Sequence, residues 1–203
     1  MICGLAQTLL ARREKPPTRA ELRCLATHAR RACRVIHNAL NRRRARPAGD
    51  VNHALVRAVR AAGFRKQDVR ASLAPGLPLA AVFPDEMETI FSNVLLNARR
   101  AMKASPSPQV LLKSSKKGKM ITVAISDTGS GIARERLAKI FEPFHTFAAD
   151  ASGTGLGLFI TQRMLARRGG TVNAAARAGG GAVFSIELPV ARSAGSKARQ
   201  RTK

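Results

Sequence analysis

The chain has 203 residues, 45% of them apolar, enough for one ordinary domain with its own core plus a modest extension. Thirty-six Lys and Arg stand against twelve Asp and Glu, a formal charge of +24, while no apolar run approaches the roughly 20 residues that span a bilayer. The apolar start lacks the basic lead of a secretory signal, and Cys3, Cys24 and Cys33, odd in number and without metal-ligand spacing, predict a reducing, cytoplasmic setting rather than a disulfide framework.

The first 46 residues hold twelve basic and two acidic side chains. A short helix is predicted over 3–13, ended by Lys15-Pro16-Pro17. Thr18-Arg19-Ala20-Glu21 has the spacing of a capping box. Leu22, Leu25, Ala29, Ala32, Ile36 and Ala39 then recur at steps of three and four, the narrow apolar seam of a helical hairpin or coiled-coil dimer. Pro47 stops this helix after the run Arg42-Arg43-Arg44-Ala45-Arg46. The spacing therefore predicts a hairpin segment 1–47, a globular domain 48–190 and a basic, disordered tail 191–203, whose five bases face no acid. Such excess charge attracts polyanions in a salt-dependent way. With no Trp or Tyr and no binding motif, nucleic acid is not expected as the main partner.

Beyond residue 47 the pattern is α/β. Helices are predicted over 51–62, 86–104 and 157–168, with a shorter one near 134–140. Strands are expected at 68–74, 79–83, 109–114, 120–126, 171–177 and 182–188, the last two joined by Gly179-Gly180-Gly181 as a hairpin.

Three short stretches carry the chemistry. In the helix 86–104, Met87, Phe91, Val94, Leu95, Ala98 and Met102 share one arc of about 100° as a core stripe. Asn93, Asn97 and Arg100 fall on another arc, clear of the core. Asparagine is a poor helix-interior residue, so two of them one turn apart, below an arginine, suit a hydrated Mg²⁺ bridging phosphates, although a solvated polar face would look the same. Ser126-Asp127-Thr128-Gly129-Ser130-Gly131 follows a strand that alternates Ile121, Val123 and Ile125. Its carboxylate sits at a sheet edge where it can accept the exocyclic amine of adenine, although the residues also make a good turn. Gly153-Thr154-Gly155-Leu156-Gly157 leads into an apolar helix, whose N-terminal amides suit an anion. The four histidines, His28, His37, His53 and His145, are scattered and predict no metal cluster.

The order Asn-x-x-x-Asn, then Asp-x-Gly-x-Gly 30 residues beyond Asn97, then the glycine box 26 residues after Asp127 is a joint pattern. In it, from about residue 50 to 190, the chain resembles the ATP-binding domain of sensor histidine kinases, in the superfamily that includes gyrase B, Hsp90 and MutL. Ile140-Phe141-Glu142-Pro143-Phe144 and Leu73-Ala74-Pro75-Gly76-Leu77-Pro78 strengthen the likeness. It implies the Bergerat-type ATP-binding fold, an α/β two-layer sandwich with a mixed, mostly antiparallel sheet and helices on one face, preceded here by a short helical hairpin. ATP and Mg²⁺ are the implied cofactors. Asn97 would coordinate the metal, with Asn93 supporting it and Arg100 near the phosphates. Asp127 would bind the adenine amine, with Gly129 and Gly131 shaping that wall. Gly153, Thr154, Gly155, Leu156 and Gly157 would hold the phosphates.

Asn93 stands where hydrolysing relatives carry a general-base Glu. A neutral amide cannot take a proton at pH 7, whereas an imidazole acceptor is nucleophilic without such help. The resemblance therefore implies transfer of the γ-phosphate to histidine and relay to a response regulator receiver domain. No His in the chain is followed by an acidic residue, so the acceptor histidine is expected upstream in cis or on a partner in trans, with a homodimer through the N-terminal helices. The chain then reads as a kinase with a truncated hairpin whose full-length parent could be membrane-anchored. A non-catalytic ATP-binding regulatory or dimerisation module is the alternative. The segment 142–156, poor in large apolar side chains beyond Phe144, is expected to be mobile without nucleotide and to order when Mg-ATP binds, since ordering a backbone costs about 1–2 kcal/mol per residue.

Overall fold

The computed structural model describes residues 47–145 and 155–192. The expected helices before residue 47, the stretch 146–154 with Gly153 and Thr154, and the tail from 193 lie outside them.

Helix α1, Val51–Ala61, starts where the Asp50 carboxylate accepts the His53 amide at 2.9 Å as its N-cap. It buries Val51, Ala54, Leu55 and Ala58, the i, i+3, i+4, i+7 set of one helix face. Helix α2, Pro84–Ala101, opens with proline in its first turn beside Asp85 and Glu86 and closes with Arg99 and Arg100. Charges so placed oppose the helix dipole at both ends. Its core stripe is as expected, with Met87, Phe91, Val94, Leu95, Ala98 and Met102 all buried, and Ile90 joins them. The two helices are tied by an Arg99 guanidinium that donates to the Ala62 carbonyl and by an Arg57–Glu88 ion pair.

The sheet takes the order β1-β2-β3-β5-β4 from strands β1 Val69–Leu73, β2 Val110–Lys117, β3 Met120–Asp127, β4 Thr171–Ala176 and β5 Ala182–Pro189. Only the β1–β2 pair is parallel. Alternate residues, Ile121, Val123 and Ile125 of β3 with Phe184, Ile186 and Leu188 of β5, are buried with the helices. Their intervening neighbours lie on the other face and are half-buried, so among the described residues the helices cover one side of the sheet. Helix α3, Gly157–Arg167, packs on α2 and β4. At the top of β2, buried Ser114 receives the Ala74 amide at 3.0 Å and donates to Asn52 of α1 at 2.8 Å, which fixes β1 against α1 without leaving a polar atom unpaired.

Three local expectations differ. Residues 79–83 form no ladder strand: Ala80 alone makes isolated bridges, to Gly49 and Val190. Pro78 and Pro84 flank the stretch, and a proline has no amide to lend a ladder. Near 134–140 there is only a 3₁₀ turn, Arg134–Arg136. The β2–β3 hairpin is tighter than its Lys/Ser/Gly composition suggests, because β2 runs to Lys117 and Gly118 takes φ +59° in the turn.

Candidate functional site

Asp127 is the last residue of β3 and only 2% exposed. Its Oδ1 accepts the Gly129 amide at 2.9 Å and the Ala182 amide at 3.3 Å. Both bonds land on the same oxygen, which pins the carboxylate and leaves Oδ2 as its second accepting edge. Burial pushes the carboxyl above the usual carboxylate range, against the pull of the two amides and of Arg177.

The residues after Asp127 are held on three sides. Thr128 donates its amide to Gln109 O at 3.1 Å and takes the Gln109 amide on Oγ1 at 2.9 Å. The Ser130 amide reaches Ala101 O at 3.2 Å, so the loop rests on the C-terminal end of α2. Gly129 is needed there because a Cβ would overlap the Ala101 backbone. On the remaining side stands the β4–β5 turn, where Gly181 (φ +90°) packs on Asp127 itself and Gly131 (φ +74°) on Gly181. The sequence marked Gly129 and Gly131 but treated Gly179–Gly181 as a plain hairpin turn. Three consecutive glycines were the available signal, but their contact with Asp127, more than fifty residues away, is tertiary.

Along α2, Asn97 is half-buried and its Oδ1 accepts from the exposed Arg100 guanidinium at 3.2 Å. Asn93, one turn earlier, is 5% exposed. Its expected place on an arc clear of the core therefore needs correction. Helix α3 covers it, and its amide nitrogen donates to Gly157 O at 3.0 Å and to the Thr161 hydroxyl at 3.2 Å.

At the opening of α3, Leu156 is the N-cap and offers no side-chain hydrogen bond, so the first-turn amides have no side-chain cap. Gly155 (φ +63°) sits so close to the Phe144–His145 backbone that a Cβ would overlap it, and its carbonyl takes the Phe144 amide at 3.1 Å. Phe144 is the one non-glycine among the described residues with positive φ, +65°, and stays 54% exposed. The neighbouring His145 imidazole lies 3.0 Å from Glu142.

The structure thus gathers Asp127, Gly129 and Gly131 with the end of α2, and joins Asn93 to the start of α3 at Gly157. Among the described residues no group of three or more His, Cys, Asp and Glu could hold a metal ion. Asn97 offers one neutral oxygen with a guanidinium beside it. That donor set does not suit a bare divalent cation. It does suit Mg²⁺ already carried by phosphates, since Mg²⁺ keeps its waters and takes few protein oxygens.

Residues 83–192 match a family model described as histidine kinase-, DNA gyrase B- and HSP90-like ATPase. The chain is 31% identical over 140 residues to the sensor histidine kinase ZraS of Escherichia coli K12, covering 69% of this chain and 29% of that protein. The chain therefore spans under a third of that relative. Among solved structures, a mycobacterial sensor histidine kinase, MprB, superposes with TM-score 0.62 at 21% identity, covering 73% of this chain and all of that one. The nucleotide-free catalytic domain of the histidine kinase ThkA gives 0.61 at 22% identity, covering 70% and 96%. At those identities the two structures show the fold alone.

Proposed function

The chain belongs to the histidine kinase-, DNA gyrase B- and HSP90-like ATPase family and carries a sensor-kinase type of ATP-binding domain, and from that premise we propose that it binds Mg-ATP and passes the γ-phosphate to a histidine. The observation that carries the reading is the pinned, buried carboxylate of Asp127 at the strand end. A carboxylate kept dry and fixed by two amides is a directional acceptor for an amino group, and adenine presents one.

The roles follow from position. Asp127 accepts the adenine amine, with Gly129, Gly131 and Gly181 keeping the wall free of side chains. The amides that open α3 receive phosphate oxygens, and Asn97 is the protein oxygen for the Mg²⁺ that ATP brings. That ion, when bound, neutralises phosphate charge in a reaction that depends mostly on positioning and electrostatics. Arg100, one turn beyond Asn97, adds a cation at the same end. An imidazole nitrogen then forms the N–P bond as the bond from the γ-phosphorus to the bridging oxygen breaks and ADP leaves. None of the four histidines, His28, His37, His53 and His145, precedes an acidic residue. The acceptor therefore comes from a dimerisation domain, in cis upstream or in trans, and a receiver domain of a response regulator takes the phosphoryl group next. No helix among the described residues is long and apolar enough to cross a membrane.

Incubating the chain with γ-labelled ATP and a separately supplied hairpin that bears an acceptor His tests this. Acid-labile label on the hairpin is expected. ATP binding without transfer to any hairpin would favour the second reading, a regulatory module.

A further inference from the structure

Asn93 and Thr161 are two of four buried polar or charged residues among the described residues, at 5% and 0% exposed, and they bond to each other across 68 positions of sequence. Threonine is a weak helix former, and valine would fill the same volume with no polar atom to satisfy. A hydroxyl buried this completely is costly unless it is paired. The Asn93 amide pairs it, and the same amide nitrogen reaches the Gly157 carbonyl. A carbonyl only accepts, so the orientation of the Asn93 amide is fixed by its partner rather than chosen.

The position of this pair matters more than its strength. Gly157 is the first residue of α3, and Asn97 stands one turn beyond Asn93, about 6 Å along α2. Sliding or rolling α3 on α2 would break both bonds and change the distance from Asn97 to the first-turn amides. Close packing at Gly157 itself does not set that distance, because a Cβ there would make only ordinary contact with Asn93, at 3.5 Å or more.

We propose that Asn93 and Thr161 form an interhelical latch that sets the spacing between Asn97 and the amides opening α3, so that both act as positioning residues for the polyphosphate. The proposal rests on the ATP-binding reading and refines it. Asn93 serves through α3 and does not support the metal directly, and Thr161 joins the site as a residue that touches no ligand.

Calorimetric titrations of the full chain with Mg-ATP, with ATP in EDTA and with adenosine separate the possibilities. Thr161→Val removes one latch bond and is expected to weaken both forms of ATP about threefold to tenfold, with adenosine unchanged because Asp127 is untouched. Thr161→Ser should restore wild-type affinity. Should Thr161→Val fail to fold, Asn93→Ala, which leaves Thr161 able to bond within its own helix, carries the same three titrations with the same expected pattern. Wild-type ATP affinity in the variant, or adenosine weakened in step with ATP, would overturn the latch. So would a loss in Asn93→Ala seen only when Mg²⁺ is present, which would mark Asn93 as a metal group. A wild-type chain that takes up no ATP would instead overturn the nucleotide reading, and the latch with it.

Discussion

Gly181 and Asp127 are packed so closely that a Cβ on the glycine would overlap the Asp127 carbonyl and stand 3.2 Å from its Oδ1. The β4–β5 turn is thus part of the wall proposed for adenine, although it belongs to none of the motifs that identify the proposed site. Gly181→Ala is expected to lose about 2–4 kcal/mol of stability, from the left-handed backbone and the backbone overlap together. Gly179→Ala and Gly180→Ala, which share positive φ but would meet nothing within 4 Å, should lose only about 1–2 kcal/mol. Urea denaturation of the three variants checks the contrast, and equal losses would show that Gly181 is an ordinary turn residue.

Asp127 is expected to trade stability for binding. Burial raises its carboxyl above the ordinary value of 3.8. The folded chain therefore takes up this proton before the unfolded chain does as pH falls. The charged form costs stability at neutral pH, and acidification through the raised value relieves that cost. Asp127→Asn, which keeps an accepting oxygen for Gly129 and Ala182, should be as stable as wild type at pH 7, or more so. Its margin should shrink as pH drops through that range. Denaturation midpoints from neutral to acid pH measure it, and an Asn variant that is less stable at pH 7 and gains on acidification would reverse the sign.

Much of this arrangement is legible in the sequence. The apolar stripe from Met87 to Met102 and the alternation Ile121-Val123-Ile125 are local patterns, and local periodicity sets a helix face or a strand face directly. The motif spacing was legible too, because Asp127, Gly129 and Gly131 lie within five residues. What the sequence hid is what depends on distant partners. Asn93 has the same spacing to Asn97 whether it faces solvent or α3, and only the Gly157 and Thr161 contacts decide it. Ala80 has a strand-like neighbourhood, yet two prolines limit it to isolated bridges.

The two ends of the site-bearing helices are held by an exposed-looking arginine that the sequence did not single out. Arg168 makes two 2.8 Å bonds to the Glu86 carboxylate and lies 4.8 Å over the Phe83 ring, joining the end of α3 to the start of α2. Both side chains keep partial exposure, 26% and 21%, so solvent screening limits the gain. Arg168→Ala should cost about 1–2 kcal/mol, and Arg168→Lys should recover less than half, since lysine loses the paired geometry. Thermal unfolding tests the pair, and full recovery by lysine would reduce it to simple charge attraction.

Mg-ATP titrated calorimetrically into the full chain, alongside Asp127→Asn and Asn97→Ala, addresses the proposed nucleotide site itself. Wild type should bind one Mg-ATP per chain, and each variant should bind at least about tenfold more weakly, roughly 1.4 kcal/mol. The Asn97→Ala loss should vanish when ATP is offered in EDTA, while the Asp127→Asn loss should persist. Equal Mg-ATP affinity in all three proteins would contradict the assignment of Asp127 to adenine and Asn97 to the metal.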